Sequence, residues 1–233
     1  MTYPVPERRI MLQTDELTKN FGATRALNGA TMHVARGEIV AVMGPSGSGK
    51  STLLHCMAGI FTPDSGATWF DGRRTDLLSD DTRTKLRRTD FGFVFQFGQL
   101  VPELTAIDNI ALPLLLSGVR RRDAYARAAS WFTRLDLEGL ENRRTGELSG
   151  GQAQRVAVGR ALVGSPRVLF TDEPTGSLDS LTGEKVMDLL VEIARADGTT
   201  VVLVTHDARV AAHADREVTV RDGKVNEFLG AGV

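Results

Sequence analysis

Residues Gly44-Pro-Ser-Gly-Ser-Gly-Lys-Ser-Thr52 follow the short apolar run Glu38-Ile-Val-Ala-Val-Met43 and precede a helical pattern that runs from Gly49 to Gly59. The apolar run, ending at glycine, reads as a buried strand. Leu53, Leu54, Met57 and Ala58 recur on the inner side of the helix. Strand, glycine loop and helix, in that order, are the context in which G-x-x-x-x-G-K-[ST] carries meaning. Glycines let the backbone curl so that successive N–H groups point inward around phosphate oxygens. Which of Gly44, Gly47 and Gly49 needs a positive φ is left open by the sequence. The helix behind the loop adds unsatisfied N–H groups and the positive end of its dipole. Lys50 adds a mobile charge for the β- and γ-phosphates, and the Ser51 hydroxyl is a hard oxygen ligand suited to Mg²⁺. Pro45, Ser46, Ser48 and Thr52 complete the cradle.

Outward from this loop the pattern repeats. Arg167-Val-Leu-Phe-Thr171 and Thr199-Thr-Val-Val-Leu-Val204 are two further buried-strand candidates. Between them Leu181–Ala196 is helical, with Val186, Leu189, Leu190 and Ile193 at helical spacing and Gly198 as its stop. Strands alternating with helices predict an α/β fold with a mainly parallel sheet covered on both faces. Asp71-Gly72 and Asp222-Gly223 sit inside alternating segments and predict hairpins, so antiparallel strands flank the parallel core. From about Phe97 to Gly150 no buried strand is evident. Leu104–Leu116 and Arg121–Leu137 read as helices, the second with Ala124, Ala128, Phe132 and Leu135 on one face. An all-helical lobe inserted at about 97–150 of a single domain, 10–233, is expected. Residues 1–9 read as a loose arm.

Phosphoryl transfer to water needs a metal holder and a group that positions the water. Val168-Leu-Phe-Thr-Asp-Glu-Pro174 places two adjacent carboxylates at the end of a buried strand. Strand side chains alternate faces, so Asp172 and Glu173 are expected to diverge, one toward Mg²⁺ and the other toward the attacking water. Pro174 helps to end the strand.

Composition narrows the class. The 233 residues carry 28 Lys+Arg against 29 Asp+Glu, and this balance argues against a chain whose main task is coating nucleic acid. The single Cys56 rules out an internal disulfide and reads as small core filling. No run approaches the ~18 apolar residues of a membrane span. A cytoplasmic chain with no direct membrane insertion, able to dock on a membrane protein, is expected. His33, His55 and His213 lack ligand-spaced partners, and Arg120-Arg121-Arg122 reads as a solvated helix start.

Leu148-Ser-Gly-Gly-Gln152 is decisive beside these two motifs. With it, over about residues 10–228, the chain resembles the nucleotide-binding subunit of ABC (ATP-binding cassette) transporters. Physically the segment is a second phosphate cradle: the Ser149 hydroxyl, backbone approach at Gly150 and Gly151, and a helix starting near Gln152. The resemblance implies that this cradle closes over the γ-phosphate of ATP held by another copy, giving a head-to-tail homodimer around two ATP. It also implies that Gln96 reaches Mg²⁺ and water, that Gly176-Ser-Leu-Asp179 links the two sites, and that His206 contacts the γ-phosphate. Glu173 takes the part of general base or water positioner. Phe21 stands where the family usually stacks a tyrosine on adenine; it either stacks there or packs in the core.

Leu104-Thr-Ala-Ile-Asp-Asn-Ile-Ala-Leu-Pro113, Thr145-Gly-Glu147 and Asp172-Glu-Pro-Thr-Gly-Ser-Leu-Asp179 resemble the MacB, LolD and FtsE-like branch. That resemblance implies a few-span, MacB/FtsX-like membrane permease as partner, with the chain peripheral on the inner face of the membrane. Phe97, Leu100, Val101 and Pro102 are expected either to form a groove for a permease helix or to pack inside the lobe. The alternatives are a soluble ABC ATPase of DNA repair, translation or cofactor assembly, and a nucleotide-binding scaffold. The first lacks its coiled-coil, zinc or second-cassette signature here. Glu173, Gln96 and His206 speak against the second.

Overall fold

The structure is a computed structural model that describes residues 9–227; the expected arm falls mostly on residues 1–8, outside the described residues. In chain order the elements are β1 (Ile10–Phe21), β2 (Thr24–Ala35), β3 (Ile39–Met43), α1 (Lys50–Met57), β4 (Ser65–Phe70), β5 (Arg73–Arg74), α2 (Asp80–Thr89) and β6 (Phe91–Phe95). Then come α3 (Ala106–Leu116), α4 (Arg121–Arg134), α5 (Gly150–Leu162), β7 (Val168–Asp172), α6 (Ser180–Asp197), β8 (Thr200–Val204), α7 (Ala208–Ala211), β9 (Arg216–Arg221) and β10 (Lys224–Glu227).

They form two sheets. A four-stranded antiparallel sheet has the order β2-β1-β4-β5, and a six-stranded sheet has the order β10-β9-β3-β8-β7-β6. In the second, β9, β3, β8, β7 and β6 are parallel and β10 closes one edge as a hairpin. The expected α/β architecture with antiparallel flanks is therefore observed. Both Asp-Gly pairs turn hairpins with positive φ at both residues: 48° and 77° at Asp71 and Gly72, 50° and 72° at Asp222 and Gly223. That backbone twist matches the flanking strands.

The central sheet is buried on both faces because its strands alternate between two cores. Val40, Val42, Val168, Phe170, Val202 and Val204 pack with α1 and the antiparallel sheet. Ile39, Leu169, Val201 and Leu203 pack on the opposite face with residues of α3–α6. Between β6 and β7 every described helix or strand is helical, and α5 leads the chain back into the sheet. α6 buries Val186, Met187, Leu190, Ile193 and Ala194, a helical stripe, and ends at Gly198 with a left-handed φ of 66°. Cys56 is buried, and burial pushes its thiol up to about 12, a thiol kept protonated and inert. Among the described residues no helix is long and apolar enough to cross a membrane.

Candidate active site

The sheet register sets the site. Val42 pairs with Val204, Val204 with Asp172, and Asp172 with Phe95. The carboxyl ends of β3, β8, β7 and β6 are thereby aligned, and each is followed at once by a candidate residue. This is where open parallel sheets bind ligands. Gly44 follows β3, Thr205-His206 follows β8, Glu173 follows β7 and Gln96 follows β6.

All three glycines of the phosphate loop have positive φ: 142° at Gly44, 76° at Gly47 and 107° at Gly49. A Cβ at Gly44 would collide with the Val220 carbonyl oxygen and one at Gly49 with the Ala26 carbonyl oxygen, whereas Gly47 has nothing within 4 Å. Gly49 is also the N-cap of α1 and supplies no side-chain cap. By contrast α2, α3, α5 and α6 are capped by Ser79, Thr105, Ser149 and Asp179. The first-turn N–H groups of α1 are thus left for an external anion. Buried Lys50 donates from Nζ to the carbonyl oxygens of Gly44 and Pro45, both at 2.9 Å, and one of its three protons stays available. Ser48 Oγ is buried without a partner in the same loop. An orphaned hydroxyl, an uncapped helix and a held ammonium are the features of a phosphate cradle.

The two acids part company in an unexpected way. Strand alternation was expected to separate them, but β7 ends at Asp172 and Glu173 has a φ of 49°. The chain has left the strand, and a left-handed residue rather than the pleat turns the Glu173 side chain aside. Its N–H donates to the Val204 carbonyl at 2.9 Å, which anchors the turn to β8. Glu173 Oε1 lies 2.6 Å from His206 Nδ1, and the Thr205 hydroxyl donates to Oε2 at 3.3 Å. Asp172 and Ser51 have no side-chain hydrogen-bond partner among the described residues. The Asp172 charge reaches His55 on α1; burial lowers the His55 pKa and Asp172 partly offsets this. Strand β7, which ends at Asp172, packs against the phosphate-loop helix.

Gln96 packs against Gly176, where an added Cβ would lie 2.8 Å from its Nε2, and its carbonyl accepts from Ser177 Oγ at 2.8 Å. Asp179 caps α6 by accepting from the Thr182 N–H at 3.0 Å, and hydrogen bonds from Thr182 hold its carboxyl below the usual range. Helix α5 starts at Gly150, two residues earlier than expected, because Ser149 is its cap. Ser149 Oγ accepts from the Gln152 N–H at 3.3 Å, and Gln152 Oε1 accepts from the Ser149 N–H at 2.8 Å. This reciprocal cap consumes acceptors and leaves the Ser149 hydroxyl proton free to donate. Gly150 and Gly151 fall in the first turn, where N–H groups lack intrahelical partners. Ser149, Gly151 and Gln152 line a cavity with Arg155 and Lys185 that no phosphate-loop residue reaches. One chain thus carries the two cradles separately. Phe21 is 46% exposed and meets Phe61 edge-on at 5.4 Å, so it is not core.

Sequence reasoning missed Thr205 and Ser177, which hold Glu173 and Gln96; the short Thr-His and Gly-Ser contexts were the available signals. The four residues expected either to form a groove or to pack inside the lobe divide. Phe97 is 75% exposed and Pro102 is exposed, while Leu100 packs into the lobe core and Val101 is tied to Asn109. A separate apolar groove, which sequence reasoning missed, is lined by Phe93, Phe95, Leu112, Pro113 and Leu116, with Arg87, Arg88 and Arg160 at its polar margin.

The sequence profile of the family described as "ABC transporter" matches residues 27–176. The chain belongs to the ABC transporter family. It is 43% identical over 208 residues to the lipoprotein-releasing system ATP-binding protein LolD of Hyphomonas neptunium, covering 89% of this chain and 91% of that one. It is 43% identical over 221 residues to the probable syringafactin export ATP-binding/permease protein SyfD of Pseudomonas syringae, covering 93% of this chain and 34% of the relative. Among solved structures, the dimeric cassette MJ0796 bound to ADP and Pi superposes with a TM-score of 0.83 at 39% identity, over 94% of this chain and 100% of that one. The ABC transporter chain described here is the ATP-binding and ATP-hydrolysing subunit that powers a transporter, and its relatives place it with the LolD-like branch.

Proposed function

We propose that two copies of this chain close head to tail over two ATP molecules, each phosphate loop facing the Ser149 cradle of the other copy, and that closure drives a membrane permease. The observation that carries this reading is the separation of the two cradles within one chain: an uncapped α1 behind the loop, and a Ser149 hydroxyl proton left free at the start of α5. The dimeric cassette among the solved relatives supports it. In this reading Gly44–Thr52 binds the triphosphate, Phe21 stacks on adenine, and residues 149–152 and Asp179 close the site from the other copy. The helices between about 97 and 150 form a lobe of a single cassette spanning 10–233.

Glu173 holds and orients the attacking water and takes its proton, with Thr205 and His206 fixing the carboxylate. His206, exposed beside it, donates to the γ-phosphate. Ser51 Oγ, the Asp172 carboxylate and the Gln96 amide oxygen are hard oxygen donors, a set that fits Mg²⁺. When bound there, the ion neutralises charge on the phosphate oxygens.

The permease is of the few-span MacB/FtsX-like kind, which would hold the chain on the inner face of the membrane. The groove at Phe93, Phe95, Leu112, Pro113 and Leu116 is its seat, for an amphipathic helix with acidic flanks facing Arg87 and Arg88. Leu116, 63% exposed, is the accessible anchor. Leu116→Arg is expected to lose the membrane partner while still binding ATP. The check is quantitative co-purification from gently solubilised native membranes with ATP, against the unsubstituted chain. Equal recovery of a membrane partner by both would move the seat elsewhere, and recovery of only soluble partners by both would count against a permease.

A further inference from the structure

The parallel ladder between β6 and β7 ends at the Phe95–Asp172 pair. One residue further, the chains carry Gln96 and Glu173 and no longer run side by side, since Glu173 has turned left-handed. The Phe95 carbonyl, on the last rung, accepts from the Gly98 N–H at 2.9 Å, and Pro174, buried, lies two residues past the last rung of β7. Gln154, on the second turn of α5, joins these two carbonyls. Its side chain is 97% buried, as its 3% exposure records. Its Nε2 donates to the Phe95 carbonyl at 3.0 Å and to the Pro174 carbonyl at 2.6 Å. Both amide protons are thus spent on the two backbone positions that flank Gln96 and Glu173. Gly98 makes room for this side chain: a Cβ there would lie 3.2 Å from Gln154 Oε1. Two turns along the same helix, Arg160 donates to the carbonyls of Gly98 and Gln99, at 2.6 and 2.7 Å, on the far side of Gln96.

We infer that Gln154 is a positioning residue for hydrolysis: its amide fixes the spacing between Gln96 and Glu173 and ties both to the helix that begins at Ser149. This rests on the reading of Gln96 and Glu173 as the water- and metal-facing pair. A primary amide is required, because only an NH₂ group can donate to two carbonyls at once from an uncharged side chain. Gln154→Glu has the same shape and no donor, and its carboxylate would face two carbonyl oxygens. Gln154→Met keeps the volume and removes the donors without adding charge.

The experiment is steady-state ATP hydrolysis by Gln154→Met and Gln154→Glu in the full chain, with ATP affinity and thermal melting measured on the same samples. Expected is a fall in kcat of roughly 10- to 100-fold, the scale of a small misplacement of reacting groups, with KM and ATP affinity nearly unchanged. A double-mutant cycle with Gln96→Ala supplies the readout that a purely structural role would not move. Once Gln96 is removed, Gln154→Met is expected to cost little more, because both act through one arrangement. Turnover near wild type in Gln154→Met, or losses that multiply independently in the double variant, would overturn the inference. Gln96→Ala and Glu173→Gln, measured alongside, separate the two failures. Wild-type turnover in those variants removes the catalytic pair, whereas wild-type turnover in Gln154→Met alone removes only the positioning role.

Discussion

Glu173→Gln is expected to bind ATP like the wild type and to hydrolyse it about 10²–10³-fold more slowly. The amide has the carboxylate's shape, so the bond accepted from the Thr205 hydroxyl and the contact with His206 Nδ1 can both persist. The turn anchored by the Glu173 N–H on the Val204 carbonyl does not involve the side chain at all. What is lost is the negative charge and the ability to take a proton from water. Geometry is kept and basicity is removed, so the loss falls on kcat. Single-turnover hydrolysis with a parallel ATP titration reads this directly. A rate near wild type would remove Glu173 from the role. The trapped species is expected to run as a dimer in the presence of ATP.

Gly44→Ala is expected to abolish ATP binding and to cost about 3–5 kcal/mol of stability, combining a φ of 142° that L residues avoid with a collision against fixed backbone. The Val220 carbonyl it would strike belongs to β9, the neighbour of β3, so the damage reaches the central sheet. Gly47→Ala is the internal control. Its φ is 76° and its Cβ would enter open space, so only backbone strain of about 1–2 kcal/mol is expected. Thermal melts and ATP titrations of the pair decide it. Equal effects at the two glycines would mean that crowding at Gly44 is relieved by movement of β9.

Much of this architecture was legible because local and global preferences agree. The runs at 39–43, 168–170 and 201–204 are uniformly apolar because both faces of their sheet are covered. The strands β1 and β2 were not legible as a pair. Their register slips between Thr14 and Leu17, where Glu16 takes a φ of 48°, so the period-2 pattern breaks in mid-strand. Helix α2 buries none of its residues, so it offers no apolar stripe to read. Its polar ends, Ser79 with Asp80 and Asp81 at the start and Arg87 and Arg88 at the close, were the only signal.

The candidate site divides in the same manner. Motif residues on the phosphate loop announce themselves, since backbone curvature and phosphate charge demand particular residue types at fixed spacing. Gln154 does not, because its role depends on two carbonyls brought together by sheet register about 60 and 20 residues away. The groove at Phe93 and Leu112 was missed for a related reason. Its apolar wall draws residues from β6 and from α3, which the tertiary fold brings to one groove from about 20 residues apart.

The central claim is that each hydrolytic site is assembled from two copies of the chain. Mixing two inactive variants, Glu173→Gln and Ser149→Arg, tests it most directly. In a mixed dimer one site keeps Glu173 from one copy and Ser149 from the other, and the second site carries both lesions. The account predicts that the mixture hydrolyses ATP well above the sum of its separate components, with the gain vanishing on dilution. A mixture no more active than its components would contradict a site shared between two copies.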